Sequence, residues 1–198
     1  MICWSCGQEA EEVHFCRKCG SLQKPSSDYF SCLGLPQKLQ LDRQEMEKRF
    51  YGLSRRLHPD RYARRPEAER RLAEEATARL NDAYRTLKDP VARAEYLLEL
   101  HGLVKSEQKS SNVPPELLEE VFELNMALEE LRGGDESARP QLEAARKKFE
   151  GMMEDFHNSL AALFAEWDQT AGRETLEKLY GLLNRRNYIR NLLRDANV

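Results

Sequence analysis

The stretch RLHPDRY, residues 56–62, interrupts a pattern that is otherwise typical of amphipathic helices. Pro59 has no amide hydrogen and disfavours helical backbone angles at His58, so a helix before it must end at about Leu57. Before the break, apolar residues recur at helical spacing: Met46, Phe50, Leu53 and Leu57. After the break a second stripe follows: Leu72, Ala76, Leu80, Ala83 and Leu87. We therefore predict two antiparallel helices joined by an exposed turn.

Capping signals mark the ends of the helices in this part of the chain. Asp42 is suited to cap the first helix, and Glu45 follows three residues later. Asp89-Pro90 predicts the start of a further helix, and His101-Gly102 predicts its end. The helical pattern in this part of the chain runs from Asp28 to His101.

The predicted turn displays His58 and Asp60 beside a basic helix. Residues 42–65 contain eight basic and four acidic side chains. The basic ones are Arg43, Lys48, Arg49, Arg55, Arg56, Arg61, Arg64 and Arg65. A positive helix beside an exposed carboxylate suits docking to an acidic partner that offers an Arg to Asp60. An ordinary solvated helix face is the alternative interpretation of the same charges.

The numbers of acidic and basic residues are nearly balanced, so the chain as a whole has no strong electrostatic potential of one sign. The 198 residues contain 31 Lys and Arg against 34 Asp and Glu, a net charge of -3. Neither nucleic acid nor an anionic membrane surface is favoured as a partner by this balance. No apolar run reaches the roughly 20 residues of a membrane span, and no secretory leader precedes Cys3. We expect no membrane partner.

Four of the five cysteines form two CxxC pairs in residues 1–24, a segment with few core residues. They are Cys3, Cys6, Cys16 and Cys19. Two such turns can complete a tetrahedral sulfur site, which predicts a structural metal centre. Zinc is favoured, because binding of roughly 10–16 kcal/mol would fold a segment that lacks a core. Iron in the same geometry and, in an oxidising compartment, two disulfides are the alternatives.

The remaining cysteine and the other histidines show no sequence pattern typical of a catalytic or metal site. Cys32 lies in an apolar stretch and is predicted to be a buried packing thiol. His14, His101 and His157 have no visible carboxylate or ligand constellation, so we assign them no chemistry. Residues 1–24 contain three acidic and three basic side chains, which disfavours a nucleic-acid-binding knuckle.

Residues 103–198 predict a linker over about 103–115, followed by a three-helix bundle. The apolar stripe of the first helix is Leu117, Val121, Leu124, Leu128 and Leu131. The second helix carries Leu142, Ala145, Phe149, Met152, Phe156, Leu160, Leu163 and Trp167, and the third Leu176, Leu179, Leu183 and Ile189. A second apolar line on the first helix, Leu118, Phe122 and Met126, is rotated by about 100° from its stripe. Such a line either widens the core or forms an exposed contact patch.

Several of these motifs together resemble a J domain, the module that activates DnaK-type chaperones. They are Asp28-Tyr29-Phe30, the basic helix, His58-Pro59-Asp60 and LNDAYRTL at residues 80–87. RAEYLL at residues 93–98, followed by a separate three-helix bundle, is similar to the HscB branch, the J-type co-chaperones of iron–sulfur cluster assembly. The double CxxC resembles the animal members of that branch. The resemblance covers essentially the whole chain.

The resemblance implies roles for individual residues. In that family the His-Pro-Asp turn and the basic helix contact the chaperone and promote ATP hydrolysis in the partner, so this chain is expected not to be an enzyme. Chaperone binding is thereby assigned to His58, Pro59 and Asp60 and, by helix position, to Lys48, Arg49, Arg55 and Arg56. Binding of the iron–sulfur scaffold is assigned to Leu118, Phe122 and Glu123.

The expected fold class is all-α, with a zinc-binding knuckle (1–24), a J-domain hairpin (25–102) and a C-terminal three-helix bundle (103–198). The implied partners are a mitochondrial DnaK-type chaperone, an iron–sulfur scaffold protein and apo iron–sulfur clients. The implied location is the mitochondrial matrix, and a cytosolic pool is compatible with the sequence. A J domain that serves other clients is the nearest alternative, and a zinc-dependent nucleic-acid adaptor is the next.

Overall fold

A computed structural model describes residues 2–9, 14–103 and 115–196. The chain divides into two compact units, Met1–Tyr96 and Leu97–Val198, and the division falls within the fourth helix. The described residues contain helices and two isolated bridges, Ile2 with Glu9 and Phe15 with Leu22, but no β-strand. The predicted all-α class is confirmed. The predicted three-part division stays a prediction, and most of its linker, 104–114, lies outside the described residues.

The helices of the first unit are α1 (Tyr29–Cys32), α2 (Arg43–Leu57), α3 (Glu67–Lys88) and the greater part of α4 (Pro90–Leu100). Asp42 caps α2, since its side chain accepts hydrogen bonds from the amides of Gln44 and Glu45. The helix ends at Leu57, and Pro59–Tyr62 form a 3-10 turn, as the proline predicts.

The α2–α3 hairpin is held together by a narrow apolar seam. Met46 and Leu57 of α2 are fully buried, and the Phe50 ring stacks on Tyr84 of α3 with 4.2 Å between centroids. On α3 the buried stripe is Ala73, Ala76, Leu80, Ala83 and Leu87. Leu72, which the sequence places first in this stripe, is only half-buried. Residues on one face of a helix recur at alternating spacings of three and four, because a turn has 3.6 residues. Counted back from Ala76, this spacing places Ala73, and not Leu72, on the buried face.

Polar caps fix α1 and α4. Asp28 accepts hydrogen bonds from the amides of Phe30 and Ser31, and Asp89 accepts one from Ala92 at 2.7 Å. The Tyr96 hydroxyl accepts from the amide of Tyr29 at 2.9 Å, and the two tyrosine rings stack. These contacts tie the start of the hairpin unit to its last helix.

The second unit is the predicted three-helix bundle, formed by α5 (Leu118–Arg132), α6 (Arg139–Thr170) and α7 (Arg173–Asp195). Its core contains Leu117, Leu124, Ala127, Leu128, Leu142, Ala145, Phe149, Ile189, Leu192 and Ala196. Phe164 is buried where the sequence suggests Leu163, which is half-buried, again because the helical turn shifts the stripe by one position. Each large side chain buried here contributes roughly 1.5–3 kcal/mol. None of the described helices combines the length and the apolar character that crossing a bilayer requires.

Candidate metal centre and docking surfaces

The two CxxC turns converge on one point. The sulfur atoms of Cys3, Cys6, Cys16 and Cys19 all lie within 4.8 Å of one another. The Sγ–Sγ distances are 3.6 Å between Cys3 and Cys19 and 3.8 Å between Cys6 and Cys16. Four thiolates at about 2.3 Å around one tetrahedral ion are about 3.8 Å apart, whereas a disulfide requires about 2.05 Å. The donor set therefore fits a metal ion, and the four cysteines are not disulfide-bonded.

The two turns have the same backbone geometry. The amide of Gly7 donates to the carbonyl of Cys3, and that of Gly20 donates to Cys16. Both glycines have positive φ angles, +67° and +72°, which residues with a side chain rarely adopt. Cys3 and Cys16 are buried, while Cys6 and Cys19 are exposed. One side of the metal centre therefore faces solvent, and the site is accessible to chelators.

Hydrogen bonds to sulfur surround this centre. Gln23 is 1% exposed, and its side-chain amide lies 3.3 Å from Cys3 Sγ, as a donor. The Ser21 hydroxyl lies 3.2 Å from Cys19 Sγ. Such outer contacts orient the ligands and lower the charge density on the thiolates. The sequence pattern did not reveal Gln23, because a glutamine outside the CxxC motif carries no metal-ligand signal.

We expect Gln23→Leu to weaken metal binding by about 10- to 100-fold, the range found for lost outer-shell partners. The change removes the donor to Cys3 at similar side-chain volume. The measurement is competition for zinc with a chromophoric chelator. Gln8→Leu is the matched control, because Gln8 is an exposed glutamine of the same segment that accepts from Lys18. Equal affinity of both variants would show that the amide does not support the centre.

His14 has a structural role that the sequence did not indicate. It is 6% exposed, and its Nε2 lies 2.6 Å from the carbonyl oxygen of Cys32 at the end of α1. Burial lowers the pKa of His14, so the neutral ring donates this hydrogen bond. The bond links the cysteine segment to the hairpin. A histidine two residues before a CxxC pair is the only local signal, and it does not predict a partner.

Cys32 is fully buried, as predicted, and burial raises the pKa of its thiol to about 11. Because the thiolate is the reactive form, the raised pKa and the burial of the sulfur both predict alkylation much slower than for an exposed thiol. We expect a chelator to release four fast-reacting thiols, both in the unmodified chain and in Cys32→Ser. The measurement is a timed thiol titration. A fifth fast thiol that disappears in Cys32→Ser would contradict the burial of this side chain.

The His-Pro-Asp corner lies on the surface. The side chains of His58 and Asp60 are 54% and 89% exposed, and Pro59 is half-buried between them. The Asp60 amide donates to His58 Nδ1 at 3.3 Å, and the Asp60 carboxylate lies 3.5 Å from the same nitrogen. Behind the corner, the Thr77 hydroxyl donates to the Leu57 carbonyl at 3.1 Å. The corner is therefore braced from α3 while its carboxylate faces solvent.

The four cations assigned from helix position have different surroundings. Lys48, Arg55 and Arg56 are exposed. Arg49 is half-buried, pairs with Glu45 at 2.7 Å and donates to the carbonyl of Gly34. Within the described residues, Lys48, Arg55 and Arg56 form no ion pair with a carboxylate. The corner and these three cations form a surface that carries uncompensated positive charge.

The second apolar line on α5 lies on the surface and does not enlarge the core. Leu118, Phe122 and Met126 are 54%, 65% and 46% exposed. Glu123 lies beside them, 4.0 Å from Lys148 of α6. Met126 and Glu123 also border a groove of about 400 Å³ between α5 and α6. The three apolar side chains and Glu123 are called the α5 face below.

Comparison with known proteins identifies both units. Residues 28–96 match the DnaJ domain family, so the α1–α4 hairpin unit is a J domain. Residues 113–197 match the family described as the HSCB C-terminal oligomerisation domain. The chain belongs to the HscB-type family of J-domain co-chaperones. The resemblance inferred from the sequence is confirmed.

Similar curated proteins carry corresponding names. The human iron-sulfur cluster co-chaperone protein HscB is 31% identical over 187 residues, which cover 89% of this chain and 76% of the human protein. A co-chaperone protein HscB homolog from Azoarcus sp. (strain BH72) is 35% identical over 153 residues, covering 77% of this chain and 85% of the relative.

Solved structures show the same architecture. The crystal structure of human co-chaperone protein HscB has a TM-score of 0.73 at 25% identity, covering 99% of this chain and 96% of the human one. Chaperone HscB from Vibrio cholerae has a TM-score of 0.57 at 32% identity, covering 83% and 97% of the two chains. The alignment with the human structure includes the cysteine segment, since it leaves out only 1% of this chain.

Proposed function

We propose that this chain stimulates the ATPase of a DnaK-type chaperone and delivers an iron–sulfur cluster scaffold protein to it. The observation that carries the proposal is the coexistence of two exposed surfaces on one family member. One is the His-Pro-Asp corner with its cations, and the other is the apolar α5 face. A co-chaperone that presents cargo needs both kinds of surface.

On the chaperone side, this chain acts by binding. The Asp60 carboxylate accepts hydrogen bonds from an Arg of the chaperone, an interaction that is strong because both groups are charged. Lys48, Arg55 and Arg56 attract an acidic surface of the same partner and raise the association rate. Hydrolysis takes place in the partner, and the chain supplies no group to the reacting phosphate.

On the cargo side, the α5 face binds the scaffold. Phe122 and Leu118 provide the apolar contact, and Glu123 provides a carboxylate at its edge. Aromatic side chains at the centre of an interface carry a large share of binding free energy. The name of the human relative, an iron-sulfur cluster co-chaperone, supports an iron–sulfur scaffold as the cargo. The proposed location is the mitochondrial matrix, which the family resemblance implies.

The cysteine module holds zinc in this proposal. Cys3, Cys6, Cys16 and Cys19 bind the ion, which supplies folding free energy to residues 1–24 and leaves no open coordination position for catalysis.

The test is steady-state ATP turnover by a DnaK-type chaperone with this chain and the scaffold, added singly and together. We expect each to stimulate weakly alone and the pair to stimulate more than the sum, because the chain links cargo to chaperone. Stimulation by the chain that the scaffold does not increase would favour a J protein for other clients. No stimulation under either condition would refute the proposal.

A further inference from the structure

An aromatic side chain of the cysteine module lies against a cation of the J domain. The guanidinium carbon of Arg56 is 4.3 Å from the centroid of the Phe15 ring. Phe15 is half-buried and immediately precedes the ligand Cys16, while Arg56 lies on α2 two residues before His58. The contact therefore connects the metal centre to the helix that leads into the His-Pro-Asp corner.

The contact leaves Arg56 able to bind a partner. Stacking on an aromatic ring uses the face of the guanidinium, while its N–H donors point outward in the plane of the group. Arg56 is exposed and, within the described ranges, pairs with no carboxylate. Its backbone is also fixed, because the Tyr62 hydroxyl donates to the Arg56 carbonyl at 3.2 Å. Arg56 is thus held in place, while its side-chain N–H groups donate no hydrogen bond to the part of the chain that the structure describes.

The position of Phe15 depends on the fold of the cysteine module. Phe15 is bridged to Leu22, which is 1% exposed, and the amide of Cys16 donates to the carbonyl of Ser21 at 2.9 Å. Among the described residues, the hydrophobic cluster at the metal centre consists of Cys3 and Cys16. So small a cluster contributes little to holding the Cys16–Gly20 turn without metal, and metal binding and folding are coupled in such segments.

We propose that the metal-bound module is part of the chaperone-docking unit, with Phe15 as a positioning residue that holds Arg56 ready for an acidic surface of the chaperone. Loss of the metal then frees Arg56 and weakens docking. Pre-ordering a long side chain raises affinity because less rotamer entropy is lost on binding. This inference rests on the proposed function for its partner, and the experiment separates the two.

The first measurement uses the chain alone. Protons above an aromatic ring are shielded, so the Arg56 Nε–Hε signal should move upfield in the zinc-loaded protein. We expect Phe15→Leu and chelation each to abolish the shift. Ile2→Ala is the matched control, because Ile2 precedes the other CxxC pair in the equivalent bridge and is 72% exposed. An unchanged shift in Phe15→Leu would overturn the inference.

The second measurement is binding to the ATP-bound chaperone. We expect Phe15→Leu or chelation to weaken binding by about two- to fivefold, the range for an exposed cation–π contact. In an Arg56→Gln background neither change should have a further effect. Comparing chelation in the unmodified chain with chelation in Arg56→Gln needs no substitution in the module, so the test stands even if Phe15→Leu fails to bind zinc. An equal effect of chelation in both backgrounds would overturn the inference.

Asp60→Asn separates the inference from the proposed function. If Asp60→Asn loses chaperone binding while Phe15→Leu and chelation leave it unchanged, the inference fails and the proposed function stands. If the unmodified chain neither binds the chaperone nor stimulates its ATP turnover, the proposed function fails and the docking role of Phe15 fails with it.

Discussion

Replacing Asp60 by Asn is expected to reduce stimulation of a DnaK-type chaperone's ATP turnover by about 30-fold or more. Truncating one partner of a hydrogen-bonded charge pair at an interface costs about 2–5 kcal/mol, and 2 kcal/mol corresponds to about 30-fold. The carboxylate is 89% exposed and has only His58 Nδ1, at 3.5 Å, as a partner among the described residues. The substitution therefore removes a docking charge without removing a contact that stabilises the fold.

Two measurements make this prediction specific. The free energy of unfolding of Asp60→Asn should stay within about 0.5 kcal/mol of the unmodified chain, as for other surface substitutions. Asp82→Asn is the matched control, since it also removes one exposed carboxylate from the J domain, here one that pairs with Arg85 at 3.2 Å. We expect Asp82→Asn to stimulate normally. Full stimulation by Asp60→Asn would contradict the docking role of the corner.

The features that sequence alone predicted well are those with local causes. Pro59 ends α2 at Leu57 because proline cannot continue the hydrogen-bond ladder, and Asp42 caps the same helix through its own side chain. The cysteine cluster was predictable because each CxxC turn brings two thiols together, and two such pairs in one short segment are typical of a four-cysteine metal site. The proline and the cap act within a few positions along the chain, and the four cysteines all belong to the short segment 3–19.

The features that sequence did not predict depend on contacts between distant segments. His14 and Phe15 contact Cys32 and Arg56, and no periodicity relates these positions. Arg49 illustrates the same limit. Its pairing with Glu45 follows from their four-residue spacing, but its bond to the Gly34 carbonyl depends on how the loop before α2 folds back. The sequence therefore assigns Arg49 and Lys48 the same docking role. In the structure Lys48 is exposed, whereas Arg49 is half-buried and bound to Glu45 and Gly34.

The second large effect is expected on the α5 face. Replacing Phe122 by Ser should weaken scaffold binding by about 30-fold or more, because an aromatic anchor at an interface contributes about 2 kcal/mol or more. Phe122 is 65% exposed and Leu118 is 54% exposed in the free chain, so the bundle core does not rely on them. Adding Leu118→Ser should weaken binding further, with both variants retaining the unfolding free energy of the unmodified chain. Isothermal titration with purified scaffold measures the affinities.

Tyr51→Ser is the control for this experiment, because Tyr51 is a comparably exposed aromatic, at 58%, on α2 of the J domain. If any loss of exposed apolar surface weakened scaffold binding, both Phe122→Ser and Tyr51→Ser would bind the scaffold less tightly. If the α5 face is the specific binding site, only Phe122→Ser should do so. Unchanged scaffold affinity in the Leu118 and Phe122 double variant would mean that this face serves another client. Leu118, Phe122 and Met126 would still form an exposed apolar line along one face of α5, and such a patch marks an interaction site for another partner.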